Sequence, residues 1–179
     1  LPYTLGGYYG TFTEFLGFRA NSEEGKLMGL APYGKYDVKL QNKLEDFVSF
    51  DKKNSSYTVD PTYRFYNQRT YNALFTDKLV KAFGPPRSPH QKLTSYHKDL
   101  AFNVQWRLEQ IVSSIVSKYV NANKIHNVCL AGGVAMNCKM NGVIADLPEV
   151  KNIHVQPASS DNGTALGAAC ISAVKNKFV

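Results

Sequence analysis

Between Gly132 and Asp161 lie a glycine pair, a carboxamide and a carboxylate whose spacing suits a ligand that carries phosphate. Gly132 and Gly133 have no Cβ, so a flat or phosphorylated group can approach their backbone closely, and N–H groups at the start of a following helix favour negative charge. Asn137, four residues beyond Gly133, is expected about one helical turn in, with its amide directed back toward the same mouth. Asp161 would set a carboxylate across from it. Hard cations take oxygen ligands, so the set suggests a nucleotide held together with a metal. Singly, each residue also has a plain structural role: the glycine pair as a tight turn, Asp161 as a helix N-cap and Asn137 as a solvated helix residue. The joint spacing favours binding.

Two strand-then-helix units must position these residues. Val128, Cys129, Leu130 and Ala131 have the length and composition of a buried strand that stops at the glycine pair, and a helical pattern follows. Ile153, His154 and Val155 form a second short strand closed by Pro157; the polar cluster Ser159, Ser160, Asp161, Asn162 then opens a small-residue helix from Gly163. Strands joined through a helix of this length are expected to lie parallel with a right-handed crossover, which puts both strand ends at one sheet edge.

The rest of the chain reads as support. Tyr8, Tyr9, Phe12, Phe15 and Leu16 recur at helical spacing and predict a core-facing helix. In EEGKLMGLAPYG the apolar patch Leu27, Met28, Leu30 ends at Pro32 and Gly34. Leu40, Leu44 and Phe47 continue a helical pattern into a hairpin formed by FVSF and YTVD, with Tyr63, Phe65, Tyr66 and Tyr71 packing beneath it. A helix is expected over 72–83, stopped by Gly84, Pro85 and Pro86, after which Arg87 fixes the loop rather than gripping an anion. Ser95 is the expected cap of a long helix over 96–120. Its apolar stripe is Leu100, Val104, Leu108, Ile111, Ile115 and Tyr119, with Asn103, Arg107, Gln110, Ser114 and Lys118 on the opposite, polar face. Gln105 and Trp106 are candidates for contact with the rest of a larger protein, although a lone Trp on a helix more often packs within its own domain.

With 179 residues and 44% hydrophobic content the chain suits one domain with a proper core, and no apolar run is long enough to span a bilayer. The net charge of +7 comes from scattered Lys and Arg, so nucleic acid is an unlikely partner and anionic small molecules a better one. Cys129, Cys138 and Cys170 lack metal-knuckle spacing and read as small core residues of a reduced, cytoplasmic protein. None of the histidines His90, His97, His126 and His154 pairs at helical spacing for a metal. No signal peptide is visible, and the missing initiator Met suggests a piece of something longer.

The run LAGGVAMNCKMNG, followed by QPASSDNGTALGAA, closely resembles the O-carbamoyltransferase family that includes nodulation-factor and antibiotic-tailoring enzymes. FTEFLGFRANSEEGKLMGLAPYG matches a second signature of that family, and AFGPPRSP with HKDLAFNVQWRLE a third. The resemblance implies an α/β half-domain of the actin/sugar-kinase (ribonuclease H-like) fold, a mixed sheet flanked by helices, related to the universal tRNA threonylcarbamoyladenosine synthase. It implies that Gly132, Gly133, Val134 and Asn137 contact ATP or carbamoyl adenylate, that Glu24 and Lys26 flank the nucleotide, and that Asp161 binds a divalent metal, iron or magnesium. The family's histidine pair, four residues apart in the first half of the domain, does not occur here, nor does its carbamoyl-phosphate-processing domain. The implied picture is the C-terminal half of the transferase domain, silent alone, with a small-molecule or saccharide acceptor whose identity the sequence does not give. A tRNA-modifying enzyme and a non-catalytic nucleotide-binding module of the same fold are the alternatives.

Overall fold

A computed structural model describes residues 3–66 and 73–178, which divide into two compact units, the first running up to Ile115 and the second from Val116 onward. In the first unit α1 (Leu5–Phe15) starts where the Thr4 hydroxyl accepts the Gly7 N–H at 3.0 Å. Its apolar face supplies Tyr8, Phe12 and Phe15, all fully buried. Phe12 meets Phe83 edge to face at 5.1 Å and Tyr8 meets Phe47 at 5.6 Å, the geometry that ring quadrupoles favour. Gly17, at φ +75°, turns the chain after α1; a Cβ there would come within 2.6 Å of the Arg87 carbonyl oxygen.

The charged stretch after it folds into α2 (Glu24–Leu30), which ends in a 3₁₀ turn at Ala31–Tyr33. α3 (Val38–Phe47) is capped by the Asp37 carboxylate, which accepts from Lys39 N and Leu40 N. It leads into the expected hairpin, β1 (Val48–Asp51) antiparallel to β2 (Ser56–Val59). Of the aromatic group expected beneath the hairpin, Tyr63 is buried and stacks on Phe47 of α3 at 5.0 Å, whereas Phe65 is exposed; Tyr71 lies outside the described residues. The helix expected over 72–83 is shorter. α4 spans Asp77–Phe83, because Arg64 bridges Phe75 and the Phe65 N–H donates to the Leu74 carbonyl, drawing 74–76 into extended pairing. Asn72 is outside the described residues.

α5 spans Ser95–Asn123. Thr94, not Ser95, takes the cap position: its carbonyl accepts from Lys98 N, while its own N–H and hydroxyl meet His97 Nδ1 at 3.0 and 2.9 Å. The expected polar face of this helix is corrected at two positions. Asn103 is fully buried and Arg107 nearly so, because α3 and the loop before it pack there and supply polar partners.

In the second unit β3 (Asn127–Leu130) and β4 (Asn152–Val155) pair in parallel, joined through α6 (Cys138–Ala145), and α7 (Asn162–Lys175) follows. The single mixed sheet is not what forms among the described residues: β1–β2 and β3–β4 are separate two-stranded sheets. Nor is β3 a buried strand, since its residues alternate between exposed and half-buried. Cys129, Cys138 and Cys170 are accordingly exposed rather than core residues, and α7 buries none of its side chains. Among the described residues no helix is long and apolar enough to cross a membrane.

Candidate functional site

The parallel register sets Leu130 beside Val155, and the Gln156 N–H continues the ladder onto the Leu130 carbonyl at 3.0 Å. Both strands therefore end together. Beyond β3 the chain reverses at Gly132, whose φ of +99° belongs to glycine, and whose N–H donates to the Ser159 carbonyl at 2.6 Å. A Cβ on Gly132 would meet nothing within 4 Å, and one on Gly133 would only touch Ser160 Oγ at 3.9 Å. The turn after β3 and the turn after β4 are thus bonded to each other, and the space over both glycines is open.

Gly133–Met136 forms a 3₁₀ turn rather than the start of an α-helix. Among the described residues the Gly133 and Val134 N–H groups meet no acceptor, as the opening of a helical turn requires. This moves Asn137. It is not a turn inside the helix but the N-cap of α6, buried, with Oδ1 accepting the Met140 N–H at 3.0 Å. Asn141 was not singled out by sequence reasoning. Its amide donates to the Ala135 carbonyl at 2.8 Å and so braces the turn, while its Oδ1 is buried with no hydrogen-bond partner. The signal was available in the four-residue spacing of the two asparagines, which puts them on one helix face.

Asp161 precedes α7, and its side chain makes no capping bond; its carbonyl accepts from the Thr164 hydroxyl. The carboxylate is exposed, two residues beyond the Ser159 carbonyl that holds Gly132. Gly163 allows the helix to start there, because a Cβ would fall 2.3 Å from the Ala158 carbonyl oxygen. No group of three His, Cys, Asp or Glu side chains able to hold a metal occurs among the described residues, so Asp161 alone does not make a metal centre.

In the first unit Glu24 and Lys26 are engaged locally. Lys26 Nζ pairs with Glu23 Oε1 at 2.6 Å, which holds the Glu23 carboxyl below the usual carboxylate range, and Glu24 Oε1 accepts the Asn21 N–H at 2.5 Å. Arg87 takes the structural role expected of it. Its guanidinium is buried and donates to the carbonyls of Leu16, Pro89 and Gln91.

A model of the family described as the carbamoyltransferase N-terminus matches residues 1–170. The chain belongs to that family. An uncharacterized protein of Synechocystis sp. is 40% identical to this carbamoyltransferase-family chain over 172 residues, covering 94% of the chain and 27% of that protein. Nodulation protein NolO of Bradyrhizobium diazoefficiens is 36% identical over 166 residues (93% of the chain, 28% of the relative). Nodulation protein NolNO of Sinorhizobium fredii is 34% identical over 166 residues (93% and 22%). The chain thus spans about a quarter of the length of these relatives.

Proposed function

We propose that this chain is the second half of the transferase domain of an O-carbamoyltransferase, an actin/sugar-kinase-type half-domain whose 132–137 and 159–163 turns form one wall of an adenylate-binding cleft. The junction of those two turns through Gly132 N–H and the Ser159 carbonyl is the observation that carries the reading. The adenylate, made from carbamoyl phosphate and ATP elsewhere in the parent protein, supplies an activated carbamoyl group with a good leaving group. The part played by this chain is to hold and orient. The unpaired N–H groups of Gly133 and Val134 donate to phosphate oxygens, and because the turn already fixes them they need no reorganisation when charge develops. Gly132 keeps the approach free of side-chain atoms. Asn137 and Asn141 act from behind, one by starting α6 and the other by bracing Ala135.

Asp161 is proposed as a single ligand of a divalent metal, iron or magnesium, whose remaining ligands come from outside the described residues. A lone exposed carboxylate does not fit a complete site, and no step is routed through the metal. The acceptor is a small molecule or saccharide that presents a hydroxyl.

Two measurements test the reading. In the full-length parent, carbamoyl transfer assayed with carbamoyl phosphate, ATP and a hydroxylated acceptor is expected to fall sharply in Gly132→Val and Asp161→Ala. Titration calorimetry with ATP is expected to show weaker binding in the same variants. Wild-type turnover in both variants would overturn the assignment. The 179-residue chain alone is expected to give no transfer, and turnover by it would refute the half-domain reading.

A further inference from the structure

The first unit holds a surface cavity of about 220 Å³ that the adenylate cleft does not involve. It lies between α3, the β1 end of the hairpin and α5, and its floor is a closed polar cluster. Arg107 donates to the Val48 carbonyl and to Gln41 Oε1 and pairs with Glu45, while Gln41 Nε2 donates to Asn103. One wall is aromatic. Tyr36 and Trp106 meet at 5.1 Å with their planes 73° apart, and Tyr36 remains 52% exposed. The lining also carries the carboxamides of Asn42 on α3 and Gln110, one turn from Trp106 on α5, both exposed and with no hydrogen-bond partner among the described residues.

The exposure of the aromatic wall is not a loose-loop effect. Lys35 N donates to the Asp99 carboxylate at 2.8 Å, Asn103 Nδ2 to the Lys35 carbonyl at 2.9 Å, and Asp37 N to Asn103 Oδ1 at 3.1 Å. Backbone on both sides of Tyr36 is therefore pinned to α5, and Gly34 sits so close that a Cβ would overlap the Lys98 carbonyl. A tyrosine ring that stays half in water recovers only part of its burial energy on folding, whereas a backbone already fixed beneath it lowers the ordering cost of binding.

The chemistry of the walls selects a ligand class. Two rings 73° apart form a corner, which offers no two-sided slot for a flat base but suits a puckered ring with C–H faces and hydroxyl edges. Carboxamides both donate and accept, matching hydroxyls that do the same. The Glu45 charge is compensated by Arg107, leaving Lys52 as the uncompensated lining charge, on an exposed residue, so the cavity is not built around an ion. The volume is below the usual range for drug-sized ligands and fits about one sugar ring. We propose that the cavity between α3 and α5 binds a single neutral saccharide ring, packed on Tyr36 and Trp106 and hydrogen-bonded by Asn42 and Gln110. Such a site goes beyond the adenylate reading and does not depend on it.

Trp106 is the sole tryptophan of the sequence, so its fluorescence reports on this cavity directly. The 179-residue chain would be titrated with methyl glucoside, N-acetylglucosamine and cellobiose, with glycerol and adenosine as controls, alongside saturation-transfer NMR on the ligands. At least one sugar is expected to give a saturable fluorescence change and ring-proton saturation transfer, with affinity reduced about tenfold in Tyr36→Ala and in Gln110→Ala and largely kept in Tyr36→Phe. Circular dichroism confirms that each variant is folded; Tyr36 and Gln110 are exposed, so neither substitution empties the core. Three results would overturn the proposal: no saturable response to any sugar, an equal response in Tyr36→Ala, or saturation by adenosine in place of the sugars. A Trp106 change that follows protein concentration alone would assign the face to a second copy of the chain and overturn it as well.

Discussion

Replacing Asn137 by alanine removes the oxygen that receives the Met140 N–H at the start of α6. The expected cost is about 1 kcal/mol, read as a lower urea midpoint at unchanged slope. The two glycines beside it separate stability from function. Gly132→Ala meets open space but must hold φ near +99°, so it should destabilise by about 1 kcal/mol. Gly133→Ala touches Ser160 Oγ at an ordinary distance and should leave the urea midpoint in place. If ATP binding by the full-length protein weakens in Gly133→Ala with stability intact, the loss belongs to the ligand and not to the fold. His97 supplies a pH test. Burial first, and the neighbouring Arg87 charge second, lower its tendency to take up a proton in the folded state. The unfolded chain then binds more protons, so this contribution is fully present above the unfolded value of about 6.5. It is lost as pH falls through the lower folded value. Urea midpoints should drop on acidification in the wild type, and the part of the slope due to His97 should vanish in His97→Leu.

Two ion pairs of the first unit, one made from α5 and one from α4, contrast in what they are worth. Arg107 is buried and serves Val48, Gln41 and Glu45 together, so Arg107→Leu leaves a buried carbonyl and a carboxamide oxygen without their donor. A loss of about 2 kcal/mol is expected by chemical denaturation. Lys78 pairs with Asp60 on the surface at 2.6 Å, and Lys78→Ala should cost under about 1 kcal/mol. Sequence periodicity assigned Asn103 and Arg107 to a solvated face because residue type says polar. What it lacked was the partners: Gln41, more than sixty positions earlier, bonds to both residues, and Val48, Glu45, Lys35 and Asp37 complete the polar contacts that let them be buried. The stop of α4 was legible for a local reason, Gly84 at φ +86° before two prolines. Its start was not, because Tyr63 and Phe65 pull 74–76 into extended pairing through contacts the local pattern does not contain.

For the molecule as a whole, the parallel crossover could be read from two short apolar runs separated by a helical stretch, and the pairing of Val128 with Ile153 follows it. The glycine turn was legible too, since its requirement is local. The precise role of Asn137 was not, because an intervening 3₁₀ turn shifts the helix start by four residues. The buried-strand and core-cysteine expectations failed for a shared reason: apolar composition states what a segment can bury, and the described residues put no second layer on β3 or around α7. Leu166, Ile171 and Val174 are correspondingly exposed on α7. The double variant Ile171→Lys, Val174→Lys should change stability by less than about 0.5 kcal/mol per site while lowering the binding of a hydrophobic dye.

The guanidinium of Arg87 reaches the Leu16 carbonyl across 71 positions of sequence. Closing so long a loop is entropically slow compared with forming a helix or a hairpin, so this clasp belongs on the native side of the folding barrier. Stopped-flow traces of Arg87→Lys, which keeps the charge but not the fork of donors, should therefore show faster escape from the native state and an almost unaltered rate of reaching it.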